Sequence, residues 1–329
     1  LGDMPLDTGV TLRDVEISYT CFGRLAEDGS NAVLVLHGFT SGPFMLVGKT
    51  DVAEGSWAAL VGPGKPLDTD RFFIVCPNTL GSCYGSTGPS SINPATKTTY
   101  GPDFPEITFS DIVRSQFKLL QQLGIQRLRA VVGTSYGGML AQQWALDHPA
   151  LVDAIGVVVS GPRLPAGSTR ASILSVLSSD PEWRDGRYSS QQSMKETLKK
   201  FRTRTLRNYG YDVFLEKKYA NPEVAGSAFD RVVEEWADHF DANSLLVLRK
   251  AAESFDSTSQ YGRISADVLY VLSSSDKLYP PGLGQEEMLN KLPRGKSQYK
   301  YMVFNSDYGH MASGLDHAKW SSALATLLT

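Results

Sequence analysis

The stretch that decides the fold is LRAVVGTSYGG, residues 128–138. Its first half is mainly apolar, which favours a strand buried on both faces of a parallel sheet. Its second half contains Gly133-Thr134-Ser135-Tyr136-Gly137, a G-x-S-x-G pattern, and a helical pattern follows as far as Pro149. A strand, a sharp glycine-flanked turn and a helix would present the Ser135 hydroxyl at the edge of the sheet. Ser135 is therefore a candidate nucleophile, and a plain glycine-rich turn is the alternative.

Strand and helix patterns alternate around this stretch. Between the apolar runs lies a helical pattern that Ser110 could cap and Gly124 could end. This alternation predicts an α/β protein with a mostly parallel sheet flanked by helices, and the G-x-S-x-G turn narrows it to the α/β-hydrolase fold. The other apolar runs cover residues 32–36, 72–76, 154–159 and 268–272, with a weaker one at 300–304.

The middle of the chain has a different pattern. Residues 163–263 contain no comparable apolar run and are rich in charged and helix-forming residues. In a hydrolase, such an insertion is typical of a lid over the active site. The sequence thus predicts a core domain of residues 1–162 and 264–329, with a helical lid subdomain of residues 163–263 inserted before the last strands.

Composition argues against several classes of partner and cofactor. The chain has 329 residues, a formal net charge of −3 and three cysteines. This charge does not favour nucleic acid or an anionic membrane, and three cysteines give no disulfide framework. The sequence has no metal-ligand cluster, P-loop or G-x-G-x-x-G motif. We therefore expect a cytoplasmic enzyme that acts on a small molecule and needs no cofactor or metal.

A serine nucleophile needs a base and a carboxylate that orients the base. In this fold the chain order is Ser, then Asp or Glu, then His. His310 lies in a Gly-His loop just past the last strand run, so it is the candidate base. Asp276 follows the run at 268–272 and is the candidate acid, with Asp307 as the fallback. Ser135, Asp276 and His310 therefore form the predicted catalytic triad.

The oxyanion of the tetrahedral intermediate needs two N–H donors. One is the backbone N–H of the residue after the nucleophile, Tyr136. The second should come from a loop after an early strand, where His37-Gly38-Phe39-Thr40 follows the run at 32–36. We assign this donor to the N–H of Phe39, and His37 is then a residue that shapes the loop.

Several longer motifs carry a resemblance to a known family. The most specific is residues 85–94, followed by 100–105, and the other matching pieces are 111–116, 179–183, 241–244, 276–281 and Gly309-His310. The chain resembles the homoserine O-acetyltransferases, a branch of the α/β-hydrolases, over nearly its whole length. The resemblance supports the same triad, and it implies a ping-pong acyl-enzyme and a homodimer formed through the helical lid.

The chain departs from that family where the acceptor binds. The resemblance places an Asp after the catalytic His, to bind the amino group of homoserine, and an Arg in the first lid helix, to bind its carboxylate. Here these positions hold Met311 and Leu174, although a gap of four would bring Arg170 near the second. An unpaired charge in a partly dry site costs several kcal/mol. We therefore expect poor homoserine binding.

These observations favour a serine carboxylester hydrolase that cleaves short acyl esters, above all acetyl esters, through an acyl-enzyme. The alternative is an acyl-CoA-dependent O-acetyltransferase with an acceptor less polar than homoserine. A non-catalytic binding protein would have a broken triad, whereas all three positions are filled here. The substrate pocket is expected to be apolar and to be lined by Met311, Leu174, Thr40 and Tyr279.

Overall fold

The structure is a computed structural model that describes residues 1–48, 56–167, 169–293, 295 and 297–329. Within these residues, seven strands form one sheet in the order β3-β5-β4-β6-β7-β8-β9. Only β3 runs antiparallel to its neighbour, and β1 and β2 form a separate antiparallel pair. The strands are β1 Gly2–Pro5, β2 Thr11–Val15, β3 Tyr19–Phe22, β4 Ala32–Leu36, β5 Phe73–Pro77, β6 Leu128–Thr134, β7 Ala154–Val158, β8 Asp267–Ser273 and β9 Tyr299–Phe304.

The apolar runs become the parallel strands of this sheet. All residues of β4 and β7 are buried, as expected of strands covered on both faces. Strand β6 pairs with β4 on one side and with β7 on the other. Because these strands are parallel, the loops that follow them meet at one edge of the sheet, where open α/β sheets bind ligands.

Ten helices occur in the described residues. Helix α1 is capped by Thr108 and not by Ser110, because Thr108 and Asp111 form a reciprocal capping box. Gly124 ends this helical segment with φ of 76°, as expected of a left-handed helix stop. The helices are α1 Phe109–Gln122, α2 Tyr136–Asp147, α3 Arg170–Leu177, α4 Lys195–Tyr209, α5 Tyr211–Lys218, α6 Pro222–His239, α7 Ala242–Glu253, α8 Gln285–Leu289, α9 Ala312–Leu315 and α10 Ser321–Leu327.

Alternate residues of the strands pack into two apolar layers, one on each face of the sheet. Leu34 of β4 packs in the layer that contains α1, α2 and much of the helical insertion. Val33 belongs to the opposite layer, with Trp57, Trp320 and Leu324 of α10. The alternation follows from the two-residue period of a strand, and it confirms a sheet flanked by helices on both faces.

The helical insertion lies between β7 and β8. It contains α3 to α7, and its entry and exit lie side by side because Arg163 and Asp256 form an isolated bridge. The insertion packs on the loop after β4, where the Trp236 indole N–H donates to the Thr40 carbonyl at 3.1 Å. Among the described residues, no helix combines the length and apolar content that a bilayer span requires.

Candidate active site

Ser135 occupies a strained turn between β6 and α2. Its φ of 54° and ψ of −118° are unfavourable for a residue with a side chain, and such strain is common at functional sites. The neighbouring glycines make the turn possible: a Cβ on Gly133 would meet the Gly137 carbonyl at 2.1 Å, and one on Gly137 would meet the Leu36 carbonyl oxygen at 2.1 Å. The G-x-S-x-G pattern therefore forms the turn that the sequence predicted.

His310 and Asp276 are brought together at the same edge of the sheet. His310 Nδ1 lies 2.8 Å from Asp276 Oδ2, and both side chains are almost completely buried. The other carboxylate oxygen, Oδ1, accepts hydrogen bonds from the N–H groups of Leu278 at 2.8 Å and Tyr279 at 3.2 Å. The carboxylate is thus fixed by the turn that follows β8, and it can in turn orient the imidazole.

The electrostatics of this pair favour an ionised carboxylate. Burial alone would raise the pKa of Asp276. The charge and hydrogen bond of His310, together with the two backbone N–H donors, outweigh burial and hold this pKa below its usual value of 3.8. Asp276 is therefore negatively charged at neutral pH and favours a proton on Nδ1 of the ring, which leaves Nε2 free to act as a base.

Two aromatic rings enclose the imidazole. The ring centroid of Tyr209 lies 4.6 Å from that of His310, and the ring centroid of Tyr279 lies 5.8 Å away on another side. His310 and Ser135 line a common cavity of about 20 Å³, together with Met311. This space is sufficient for about one water molecule beside the two side chains.

The two residues predicted to donate to the oxyanion lie beside Ser135. Tyr136 is the first residue of α2, so its N–H has no acceptor within the helix. Phe39 follows β4 and lines both cavities that contain Ser135. His37 contacts Thr79 through Nε2 at 3.2 Å and its Nδ1 lies 2.8 Å from the Gly38 carbonyl oxygen, as expected of a residue that shapes this loop.

The fallback acid lies elsewhere. Asp307 is exposed and forms an ion pair with Lys217 at 2.7 Å. Of the other histidines, His148 stacks on Phe117 with 4.5 Å between the ring centroids, and His317 contacts the Gly314 carbonyl. The geometry therefore favours Asp276 and His310 over the other carboxylate and histidine candidates.

A larger cavity of about 410 Å³ opens above Ser135, within the usual range for small-molecule sites. Phe39 and Tyr136 contribute to an apolar part of its wall, as the sequence suggested, but helices α4 and α7 add Arg204 and Arg249, which the sequence did not indicate. Burial raises the pKa of the phenols of Tyr136 and Tyr279, which therefore remain neutral. The cavity combines apolar, hydroxyl and cationic groups, among them Leu164, Ile173, Arg204, Asn208, Arg249 and Tyr279.

Two predicted pocket residues lie outside this cavity. On α3, Ser172 and Ile173 line it, whereas Leu174 points into a second cavity of about 320 Å³, because successive helical residues project in different directions. Thr40 is fully buried, and its hydroxyl accepts a hydrogen bond from Arg202 Nη1 at 3.1 Å. Thr40 therefore contacts the lid, while Tyr279 and Met311 do line the space around Ser135.

The described part of the chain holds no group of three or more His, Cys, Asp or Glu side chains placed to bind an ion.

Comparison with known proteins agrees with this geometry. A family model for the alpha/beta hydrolase fold matches residues 31–316, so the chain belongs to the α/β-hydrolase family. Within it, the chain is 38% identical to the homoserine O-acetyltransferase of Pelobacter propionicus, over 98% of this chain and 93% of that protein. It is 36% identical to the homoserine O-succinyltransferase of Alkalilimnicola ehrlichii, over 94% of this chain and 88% of that protein.

Solved structures similar to this chain include homoserine O-acetyltransferases and also esterases. The crystal structure of a homoserine O-acetyltransferase from Bacillus anthracis superposes with a TM-score of 0.85 and 26% identity, over 100% of this chain and 96% of that one. Esterase E22 also has a TM-score of 0.85 and 26% identity, over 99% of this chain and 98% of that one. The protein is thus an acyl-transfer enzyme of the homoserine O-acyltransferase-like family.

Proposed function

We propose that the protein is an acyl-CoA-dependent O-acyltransferase that passes a small acyl group through Ser135 to the hydroxyl of a small acceptor. This reverses the order of the two readings that the sequence favoured. The full-length similarity to homoserine O-acyltransferases, at 36–38% identity, supports it most strongly. The cavity of about 410 Å³ beside Ser135 also has room for an acceptor next to an acyl group.

The residues have the following roles in this mechanism. Ser135 Oγ attacks the thioester carbonyl while His310 Nε2 takes the hydroxyl proton. The backbone N–H groups of Tyr136 and Phe39 bind the negative oxygen of the tetrahedral intermediate. The carbon–sulfur bond then breaks, the thiolate takes the proton from His310, and an acyl-Ser135 ester remains. The acceptor hydroxyl then attacks the carbonyl of acyl-Ser135 while His310 Nε2 takes its proton. The bond to Ser135 Oγ breaks, the proton returns to Ser135, and the ester of the acceptor is released.

Ester hydrolysis remains a second candidate because of Met311. This residue is buried beside His310, where the resemblance places the carboxylate that binds the amino group of homoserine. A thioether cannot pair an ammonium group, so water could replace homoserine as the acyl acceptor. The similarity to esterase E22 favours the same reading.

Thiol release from acetyl-CoA separates the two candidates. For an acyltransferase, we expect steady-state thiol release to depend on the acceptor, with an acetyl group on Ser135 detectable by mass spectrometry when no acceptor is present. Rapid hydrolysis of p-nitrophenyl acetate and butyrate, with a rate of thiol release that does not depend on any acceptor, would instead establish an esterase.

Replacing Asp276 with asparagine is expected to lower kcat by about 10⁴-fold, because the amide favours the wrong tautomer of the His310 ring.

The folded-state pKa of Asp276 is depressed, so its carboxylate stabilises the protein above its unfolded-state pKa. That contribution is lost as the pH falls through the folded pKa. Urea unfolding measures the free energy of unfolding of the wild-type protein and of the Asp276→Asn variant. The difference between the two values should be constant above about pH 5 and become smaller below pH 4. A difference that grows towards low pH would contradict this assignment.

A further inference from the structure

Two arginines face the substrate cavity without a carboxylate partner. Arg249 on α7 and Arg204 on α4 both line the cavity that contains Ser135. In the described part of the chain, neither side chain forms an ion pair. The Nε of Arg249 is buried and lacks a hydrogen-bond partner, and its guanidinium lies 4.3 Å from the centroid of the Phe39 ring.

A guanidinium that lines a cavity without a carboxylate partner is suited to binding an anionic ligand. Buried donors in folded proteins are nearly always paired, because an unmade hydrogen bond loses the solvation of the donor without compensation. A guanidinium presents a planar set of N–H groups that matches a carboxylate. Arg249 therefore has the chemistry of an anion-binding group, and the second positive charge of Arg204 reinforces it.

For a cationic ligand, the described lining of this cavity provides no anionic partner. None of the described residues that line it carries a carboxylate, and Met311 occupies the position beside His310. An ammonium group would enter without an anionic partner and would be repelled by the two arginines. Desolvating an unpaired charge in this way is strongly unfavourable. The wall thus favours a negative substrate and disfavours a zwitterion.

We propose that Arg249 and Arg204 bind the carboxylate of the substrate, and that the acceptor, or the ester in the reverse direction, is a hydroxy acid without an amino group. This inference rests on the acyl transfer through Ser135 proposed above. The acceptor gives up its hydroxyl proton to His310 and takes the acyl group from Ser135, while its carboxylate stays ionised and unreacted.

Three esters with the same acetyl group and the same carbon chain test this selection. The probes are 4-acetoxybutyrate as the anion, its methyl ester as the neutral form and O-acetylhomoserine as the zwitterion. With free CoA as the acyl acceptor, acetyl-CoA formation by the wild-type protein should give a kcat/KM for the anion about tenfold or more above that for either other ester, since hydrogen bonds to charged groups are the strong ones.

Variants then assign the preference to the arginines. Arg249→Met and Arg204→Met should each lower the ratio of kcat/KM for anion over neutral ester about tenfold. The ratio is the appropriate measure for Arg249, because this side chain also contacts Phe39. Because Arg204 is exposed, its replacement is not expected to destabilise the folded protein. Lys250→Met is the matched control, because Lys250 lines the second cavity and the ratio should not change.

The outcomes distinguish this inference from the proposed function. Turnover of all three esters at similar rates, or a preference for the zwitterion, would overturn the hydroxy-acid inference while acyl transfer through Ser135 stands. An unchanged ratio in both arginine variants would overturn the assignment of the anion site. If p-nitrophenyl acetate and acetyl-CoA also leave no acetyl group on Ser135, the proposed function itself fails.

Discussion

Replacement of Ser135 with alanine is expected to lower kcat by about 10⁶-fold, as removal of the nucleophile does in other Ser-His-Asp enzymes. Two nearby serine hydroxyls have other partners: Ser160 Oγ donates a hydrogen bond of 2.6 Å to the Ser135 carbonyl, and Ser313 contacts Trp57 and Thr134. The measurement is release of p-nitrophenol from its acetate ester. The folded structure should persist, because alanine keeps the Cβ and loses only the hydroxyl.

The control for this prediction is Ser227→Ala, which removes an exposed hydroxyl from α6 and should leave turnover unchanged. Labelling with a fluorophosphonate, followed by mass spectrometry, adds an independent readout. The wild-type protein and the control should carry the label on Ser135, and the Ser135→Ala variant should carry none. Residual turnover above about one hundredth of the wild-type rate would mean that another residue is the nucleophile.

Replacement of Gly137 with alanine is expected to destabilise the protein by about 4 kcal/mol or more, which is at the upper end for single substitutions. The added Cβ would lie 2.1 Å from the Leu36 carbonyl oxygen and 2.8 Å from that of His37. Both contacts are with the backbone of β4 and its following loop, which cannot rotate away as a side chain can. Helix α2 would have to move off the sheet, and Ser135 would move with it.

Urea unfolding followed by circular dichroism measures this effect, and Gly226→Ala is the matched control. Gly226 lies in α6 with nothing within 4 Å of the added Cβ, so alanine there should stabilise the protein by about 0.5–1 kcal/mol. A Gly137→Ala variant as stable as wild type would show that β4 and α2 are not in the close contact described here. Loss of soluble expression in this variant alone would agree with the prediction.

The central part of the fold could be predicted because it depends on signals along the chain. Strands β4 and β6 to β8 consist mainly of apolar runs, because burial on both faces disfavours polar residues. Strands β1, β2 and β3 were not predicted, since they have only four or five residues and are largely exposed. Such short strands are formed by pairing with a neighbour, and a propensity pattern does not record pairing.

Helix starts were predicted less well, although the sequence contained the signals. The cap of α1 was assigned to Ser110, while Thr108 and Asp111 have the spacing of a capping box. Helix α6 begins at Pro222, after the capping residue Asn221. Asn followed by Pro is a recognisable start signal. Apolar periodicity places a helix along the chain but does not identify its capping residue.

The walls of the site were the hardest part to predict. The triad follows chain order and the ends of strands, so Asp276 and His310 could be selected from their positions. Arg204 and Arg249 could be placed on helices, but which face of a lid helix meets the cavity depends on how the lid packs on the core. That packing involves contacts distant in sequence, such as Trp236 with Thr40. The expected dimerisation through the lid stays a prediction, which light scattering would test.

The lid also reaches the two residues proposed to bind the oxyanion. The Tyr136 hydroxyl donates to the Leu248 carbonyl at 3.0 Å, and Arg249, the next residue of α7, covers the Phe39 ring. The machinery for catalysis and the wall that selects the substrate therefore share one helix and are not independent modules. A substitution in α7 that alters the substrate cavity is therefore expected to change the rate as well, unless the positions of Phe39 and Tyr136 are preserved.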